Sequence, residues 1–262
     1  MKLLTLNCHS WQEENQQDKI ELLAKRIQEQ DYDVIALQEV SQHIEGNVVE
    51  KDVKDTNFVY ALLEALEKLG VAHYDFRWAF SHIGYDVYEE GLCILSKHPI
   101  IEEERFFITN NHNTTYWKTR RILRTTILYE ADAIDFYTCH LGWWVDDEES
   151  FIDQVDRLNE HIKSERLSFM MGDFNNNANK REEGYDYMAS KGWLDTYTVA
   201  KKKDDGITVQ GKIAGWEKNE EALRLDLIWT NKPVLVDESK VCFNGINGEI
   251  VSDHFGVEVI CK

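Results

Sequence analysis

Short β-rich runs, many ending in a polar, chemistry-bearing residue, constrain this chain more than any other feature. Lys2–Asn7, Asp33–Glu39, Gly91–Ser96, Ile122–Tyr129, Ala133–His140, Leu167–Gly172, Leu225–Thr230 and Gly256–Ile260 read as strands. Amphipathic stripes lie between them. Ile20, Leu23, Ala24 and Ile27 form one; Phe58, Leu62, Ala65, Leu66 and Leu69, stopped by Gly70, form a second; Phe151, Val155, Leu158 and Ile162 form a third. A single doubly wound sheet with regular crossovers cannot use so many strands. Two sheets packed face to face with helices outside use them better. No Gly/Ser/Pro-rich linker and no repeat divides the 262 residues, so one domain over 1–262 is expected. Ser41–Asn57 and Ala200–Glu221 read as loops, and a loop as long as the second tends to be functional.

The strand ends carry the chemistry. Asn7 closes Leu3–Leu6, Glu39 closes Val34–Leu37, and His140 follows Ile134–Cys139. Asp173 and Asn175 follow Phe169–Gly172, Asp226 sits inside Leu223–Trp229, and Ser252, Asp253 and His254 precede Phe255–Val259. One such residue is ordinarily where a chain meets water. Singly, Asn7 and Glu39 could cap turns, and Asp173 could form an Asx-turn. Asp226 has fewer structural excuses, because an ionised group inside an apolar strand is costly unless paired. Together, Asn, Asp, Glu and His at successive strand ends suggest oxygen ligands for a hard cation plus acid–base groups. Such a set suits Mg²⁺ or Mn²⁺ better than Zn²⁺.

Charge bounds the partners. Against 29 Lys+Arg stand 48 Asp+Glu, a formal charge of −19. That surface repels phosphate backbones and anionic membranes unless a local patch or a metal reverses the field. The five cysteines (Cys8, Cys93, Cys139, Cys242, Cys261) lack C-x-x-C spacing and lie mostly in apolar runs. Reduced, buried thiols are expected, and zinc fingers and disulfide frameworks are disfavoured. MKLLTLNCHSW lacks the apolar region of a signal peptide, and no stretch reaches transmembrane length, so a cytoplasmic location is expected.

The ordered blocks L-T-L-N (4–7), A-L-Q-E (36–39), E-G-L-C-I-L-S (90–96), C-H-L (139–141), G-D-F-N (172–175), R-L-D (224–226) and S-D-H (252–254) span residues 4–260. In order and spacing they resemble the endonuclease/exonuclease/phosphatase superfamily. The resemblance implies an α/β four-layer sandwich, two face-to-face mixed β-sheets flanked by helices, and a divalent-metal-dependent phosphoesterase. Glu39 matches the family's metal ligand, with Asn7 beside it and Asp253 as a second carboxylate near the metal. Mg²⁺ is the implied ion and Mn²⁺ its substitute. Asp173 matches the residue that orients or deprotonates the attacking water. Asn175 matches the amide that helps hold the phosphoryl group, and His254 the catalytic histidine, with Asp226 as its carboxylate partner. His140 follows the deoxyribonuclease and sphingomyelinase pattern, with Glu90 as its expected partner, which sorts the chain away from abasic-site endonucleases. Arg120 or Arg121 could add a bidentate cation.

H-I-G-Y-D (82–86), T-R-R (119–121), H-L-G-W-W (140–144), E-G-Y (183–185) and G-W-E-K-N-E (215–220), with G-D-F-N-N (172–176), carry a narrower resemblance. They are similar to a Gram-positive bacterial subgroup of intracellular sugar-phosphate phosphatases, which includes enzymes acting on maltose 6′-phosphate. That implies hydrolysis of a small phosphorylated sugar by in-line attack of an activated water. Trp143, Trp144 and Trp216 could stack on a sugar ring, a reading weighed evenly against core packing. His82 is expected near the mouth of the site, whereas His9, His43, His73, His98, His112 and His161 read as surface or packing residues. A metal-dependent phosphodiesterase or nuclease, a sphingomyelinase-like enzyme and an inactive binding module are the alternatives. A nuclease lacks its basic track here, since only T-R-R and K-K-K (201–203) offer local positive charge. The intact acid–base set argues against an inactive module. Oligomeric state has no sequence signal.

Overall fold

The structure is a computed structural model and describes residues 1–262. Its strands are β1 (Lys2–Asn7), β2 (Val34–His43), β3 (Val48–Glu50), β4 (Val53–Lys54), β5 (Asp75–Gly84), β6 (Tyr88–Ser96), β7 (Ile100–Phe107), β8 (Arg121–Tyr129) and β9 (Asp132–His140). The chain continues with β10 (Ser168–Asp173), β11 (Leu194–Asp195), β12 (Lys202–Lys203), β13 (Val209–Gln210), β14 (Ala222–Leu223), β15 (Asp226–Thr230), β16 (Val236–Cys242) and β17 (Gly256–Cys261). The helices are α1 (Gln16–Gln30), α2 (Phe58–Lys68), α3 (Phe151–Glu160), α4 (Gly184–Ser190) and the single turn α5 (Thr196–Val199). Seven strands form one sheet in the order β12-β16-β17-β1-β2-β6-β5, and six form the other in the order β11-β15-β10-β9-β8-β7. Both are mixed: β1 pairs parallel with β2 and β9 parallel with β10, beside antiparallel neighbours.

Side-chain alternation builds four layers from these sheets. Along β1 and β2, Leu4, Leu6, Ile35 and Leu37 face α1 and α2, whereas Leu3, Val34 and Ala36 face the other sheet. Phe136, Phe169 and Met171 meet them between the sheets. Tyr137, Cys139 and Met170 face outward under α3 and α4, against Phe151, Val155, Leu158 and Met188. The strands are buried on both faces, which is why they read as near-continuous apolar runs.

Three full-length strands went unread in the sequence. β5 and β7 are sheet edges, and β16 lies between β17 and the two-residue edge strand β12. Water wets them, and in β7 the run Glu102–Arg105 leaves only Phe106 fully buried. The Ser41–Asn57 loop is also partly ordered: β2 continues to His43, and β3 pairs with β4.

Register then positions the site. Asp173 pairs with His140 across the parallel β9–β10 pair and with Asp226 across β10–β15, so the three line up on adjacent strands. Asn7 and Glu39 stand at the matching end of the seven-stranded sheet. Glu39 lies where β2 carries one more residue than β6, between Leu37 and Val40, with φ +53°. This bulge frees Glu39 from the alternation that sends Leu37 and Val40 toward the helices. Below it, Gln38 donates to Thr138 Oγ1 at 2.9 Å and ties the two sheets together.

Candidate active site

His254 sits between two carboxylates. Its Nδ1 is 2.9 Å from Asp226 Oδ2 and its Nε2 is 3.7 Å from Asp173 Oδ2. Asp226 and Asp173 are direct cross-strand neighbours, an arrangement that repels unless a cation intervenes. Burial alone would lower the His254 pKa, but the charges of Asp226 and Asp173 raise it well above its ordinary value and hold the imidazolium. His140 is the opposite case. Burial, with the nearby charges of Arg120, His82 and His254, holds it well below its ordinary value, so it is neutral. Its Nε2 lies 3.7 Å from Asp173 Oδ2 and 3.9 Å from Glu39 Oε1. Burial pushes Asp173 up to about 7, against the opposing pull of His254. The Asx-turn reading of Asp173 also holds, because its Oδ1 accepts the Asn175 backbone N–H at 2.8 Å.

Carboxylates crowd the other side. Asn7 Nδ2 donates to Glu39 Oε1 at 2.8 Å and to Asp173 Oδ2 at 3.4 Å. Burial pushes Glu39 up to about 7, and the charges of Glu90 and Asp253 add to the rise. His9, read from the sequence as a surface or packing residue, belongs to this cluster. Its Nδ1 lies 2.7 Å from Glu13 Oε1 and 3.7 Å from Asp253 Oδ1. Burial opposes its protonation, but Glu13, Asp253 and Glu39 raise it to about 9. The missed signal was its spacing, two residues past Asn7 and four before Glu13.

Two groups of side chains bring ligand atoms within 4.8 Å of one another: Asp173–Asp226–His254 and His9–Glu13–Asp253. Both ring nitrogens of His254 face carboxylates, Nδ1 hydrogen-bonded to Asp226 and Nε2 3.7 Å from Asp173, so the first group is built around an imidazolium between two acids. Around Glu39 the donors are carboxylate and amide oxygens with one imidazole. The negative charge there is compensated only partly, which fits a divalent cation held by Glu39 with Asn7 and Asp253.

These groups open into a cavity of about 630 Å³, lined among others by Glu39, His82, Glu90, Trp117, Lys118, Arg120, His140, Trp143, Asp146, Asp173, Asn175, Glu217 and His254. Several expected site residues lie elsewhere. Arg121 is one: its Nη1 donates to Phe80 O at 2.9 Å and its guanidinium stacks 4.0 Å from the Phe107 ring centre. The alternation of β8 sends it away from the cavity while Arg120, just before the strand, stays. Trp144 packs against Phe151 and Tyr187 in the outer core. Trp216 lies behind the cavity wall, beside Val209, Leu223 and Leu225. Glu90 approaches His82, Nε2 to Oε1 at 3.5 Å, and His140 faces Glu39 and Asp173 in its place. Burial pushes His82 down to about 3, with the Arg120 charge adding. Trp117, half exposed and 5.9 Å from Trp143 between ring centres, was missed because it sits in a loop without periodicity.

A sandwich of two mixed sheets with an acid–histidine cluster at one end defines a class of hydrolase scaffold. Residues 4–254 match the model of the endonuclease/exonuclease/phosphatase family, and this chain belongs to that family. Its members are hydrolases, typically divalent-metal dependent. A comparison with curated proteins finds no match. Among solved structures, an endonuclease/exonuclease/phosphatase family protein from Leptotrichia buccalis C-1013-b superposes with a TM-score of 0.94 at 42% identity, covering 100% of this chain and 99% of that one. A mannosyl-6-phosphatase from Bacteroides thetaiotaomicron VPI-5482 gives 0.75 at 16% identity, over 100% and 99% of the two chains. A D. rerio TDP2 complexed with a single-strand DNA product gives 0.68 at 16% identity, over 100% and 98%. At such identities the last two speak to the fold alone.

Proposed function

We propose that this protein is a Mg²⁺-dependent phosphomonoesterase acting on a small phosphorylated sugar in the cytoplasm, with maltose 6′-phosphate the foremost candidate substrate. The carrying observation is the cavity. It is roomy enough for a small organic ligand, it has Trp117 and Trp143 on its wall, and its lining sets five carboxylates (Glu39, Glu90, Asp146, Asp173, Glu217) against Lys118 and Arg120. A long polyanion has no basic track to follow into it. The unpaired, buried cysteines accord with a reducing compartment, and no helix is long and apolar enough to cross a membrane.

A bound divalent ion supplies Lewis-acid stabilisation of a nonbridging phosphoryl oxygen. The protein does the rest. Asp173, 3.7 Å from both His140 and His254, accepts a proton from, or orients, the attacking water. The His254 imidazolium, fixed by Asp226, and the buried Arg120 place positive charge where the phosphoryl oxygens gain negative charge. The Asn175 amide adds a neutral donor. The test measures phosphate release from maltose 6′-phosphate, mannose 6-phosphate and an aryl monoester, together with plasmid nicking, in Mg²⁺ and in EDTA. Release from a sugar ester that EDTA abolishes and Asp173→Asn lowers by about 100-fold or more is expected. Nicking that depends on Asp173, without phosphate release, would establish a nuclease instead. Silence on every substrate would establish an inactive module.

A further inference from the structure

Asn175 lines the cavity and is held by two partners that each work in one direction only. Trp216 Nε1–H donates to Asn175 Oδ1 at 3.0 Å, and Asn175 Nδ2 donates to the Leu141 carbonyl at 2.9 Å. An indole N–H can only donate and a carbonyl oxygen can only accept, so neither contact survives a flip of the amide. Both enforce the same orientation. It spends one Nδ2 hydrogen on Leu141 and leaves the other unassigned. The backbone agrees: Asn175 has φ +49°, and its N–H is tied to Asp173.

The fastening comes from a distant part of the chain. Trp216 belongs to the segment between β13 and β14, and its ring rests beside Val209, Leu223 and Leu225. Its neighbours Ala214, Gly215 and Glu217 line the cavity. Gly215 has φ +79°, and a Cβ there would lie 2.5 Å from the Trp143 ring, so the segment seats closely against that wall. The same short stretch therefore lines the cavity and fixes an amide beside Asp173.

We propose that Trp216 is a positioning residue whose indole N–H locks the Asn175 amide with its free N–H turned to the reacting phosphoryl group, tying that orientation to the seating of the 211–221 segment. This rests on phosphoester hydrolysis at this site. Trp216→Phe keeps an aromatic ring against Val209, Leu223 and Leu225 and removes only the donor. With the best wild-type substrate, kcat falls about tenfold, the worth of one oriented hydrogen bond, while KM stays within about twofold of wild type. In an Asn175→Ala background the same change adds nothing, because the two residues act as one unit. Unchanged kcat, or an equal loss in both backgrounds, would overturn the proposal. A second measurement needs no turnover: in ¹⁵N-labelled protein the Asn175 side-chain NH₂ exchanges slowly, and in Trp216→Phe it exchanges faster. Equal exchange would overturn the proposal even if no substrate were found, whereas a wild type silent on every phosphoester with protected Asn175 would overturn only the functional reading.

Discussion

Glu39 occupies the extra position of a bulge, in left-handed backbone and largely buried, with the charges of Glu90 and Asp253 acting on it. Such a backbone alone costs about 1–3 kcal/mol. A carboxylate raised from its ordinary 4.5 to about 7 binds more protons in the folded than in the unfolded state. Its stabilising contribution is therefore complete below about 4.5 and lost as pH climbs through about 7. In EDTA, Tm is expected to fall between pH 5 and pH 8, and Glu39→Gln should flatten that slope and melt higher at pH 8. An unchanged slope in thermal melts would show that the crowding at Glu39 is not felt. That Glu39, Asp173, Asp226 and His254 belong together was legible only from the ordered motif blocks, since a single polar residue at a strand end is ordinarily where a chain meets water. The directions of Arg121, Trp144 and Trp216 were not. Arg120 and Arg121 are adjacent in sequence, yet the strand pleat sends one to the cavity and the other to Phe80 and Phe107.

At the scale of elements, the spacing of β9 and β10 fixes His140 against Asp173. Gly172 has φ +150°, and a Cβ there would lie 1.9 Å from the Cys139 carbonyl oxygen. Only glycine lets the two strands meet one residue before His140 and Asp173 pair. Gly172→Ala should cost at least about 2 kcal/mol in urea unfolding, the range for a forced backbone shift in a packed core. Its kcat should fall further than its stability, as the His140–Asp173 contact opens. Wild-type stability for this variant would refute the close-approach argument. The buried central strands and the stripes of α1, α2 and α3 followed from periodicity, since each buries an apolar face. β5, β7 and β16 did not, because strands at or next to a sheet edge are partly wetted and carry no continuous apolar run.

For the whole molecule, the −19 charge favours a divalent cation as a stabilising ligand beyond the chemistry proposed for it. Mg²⁺ binding only to the folded state should raise stability by about 2.7 kcal/mol at 100 times Kd, or roughly 5–10 °C in Tm. Glu39→Gln should lose most of that shift in a calorimetric titration of Tm against Mg²⁺; an equal shift would place the cation elsewhere. The sequence by itself determined the layered α/β sandwich, because apolar strand runs and helical stripes record burial, and its ordered motif blocks carried the chemical inventory. Only the tertiary structure decided which residues share the cavity. Those contacts join positions such as Asn7 with Asp173 and Asn175 with Trp216, 166 and 41 residues apart. No local pattern carries a register between strands, a bulge that turns one carboxylate, or a loop whose indole holds an amide. These arise when two sheets and their connections pack against one another.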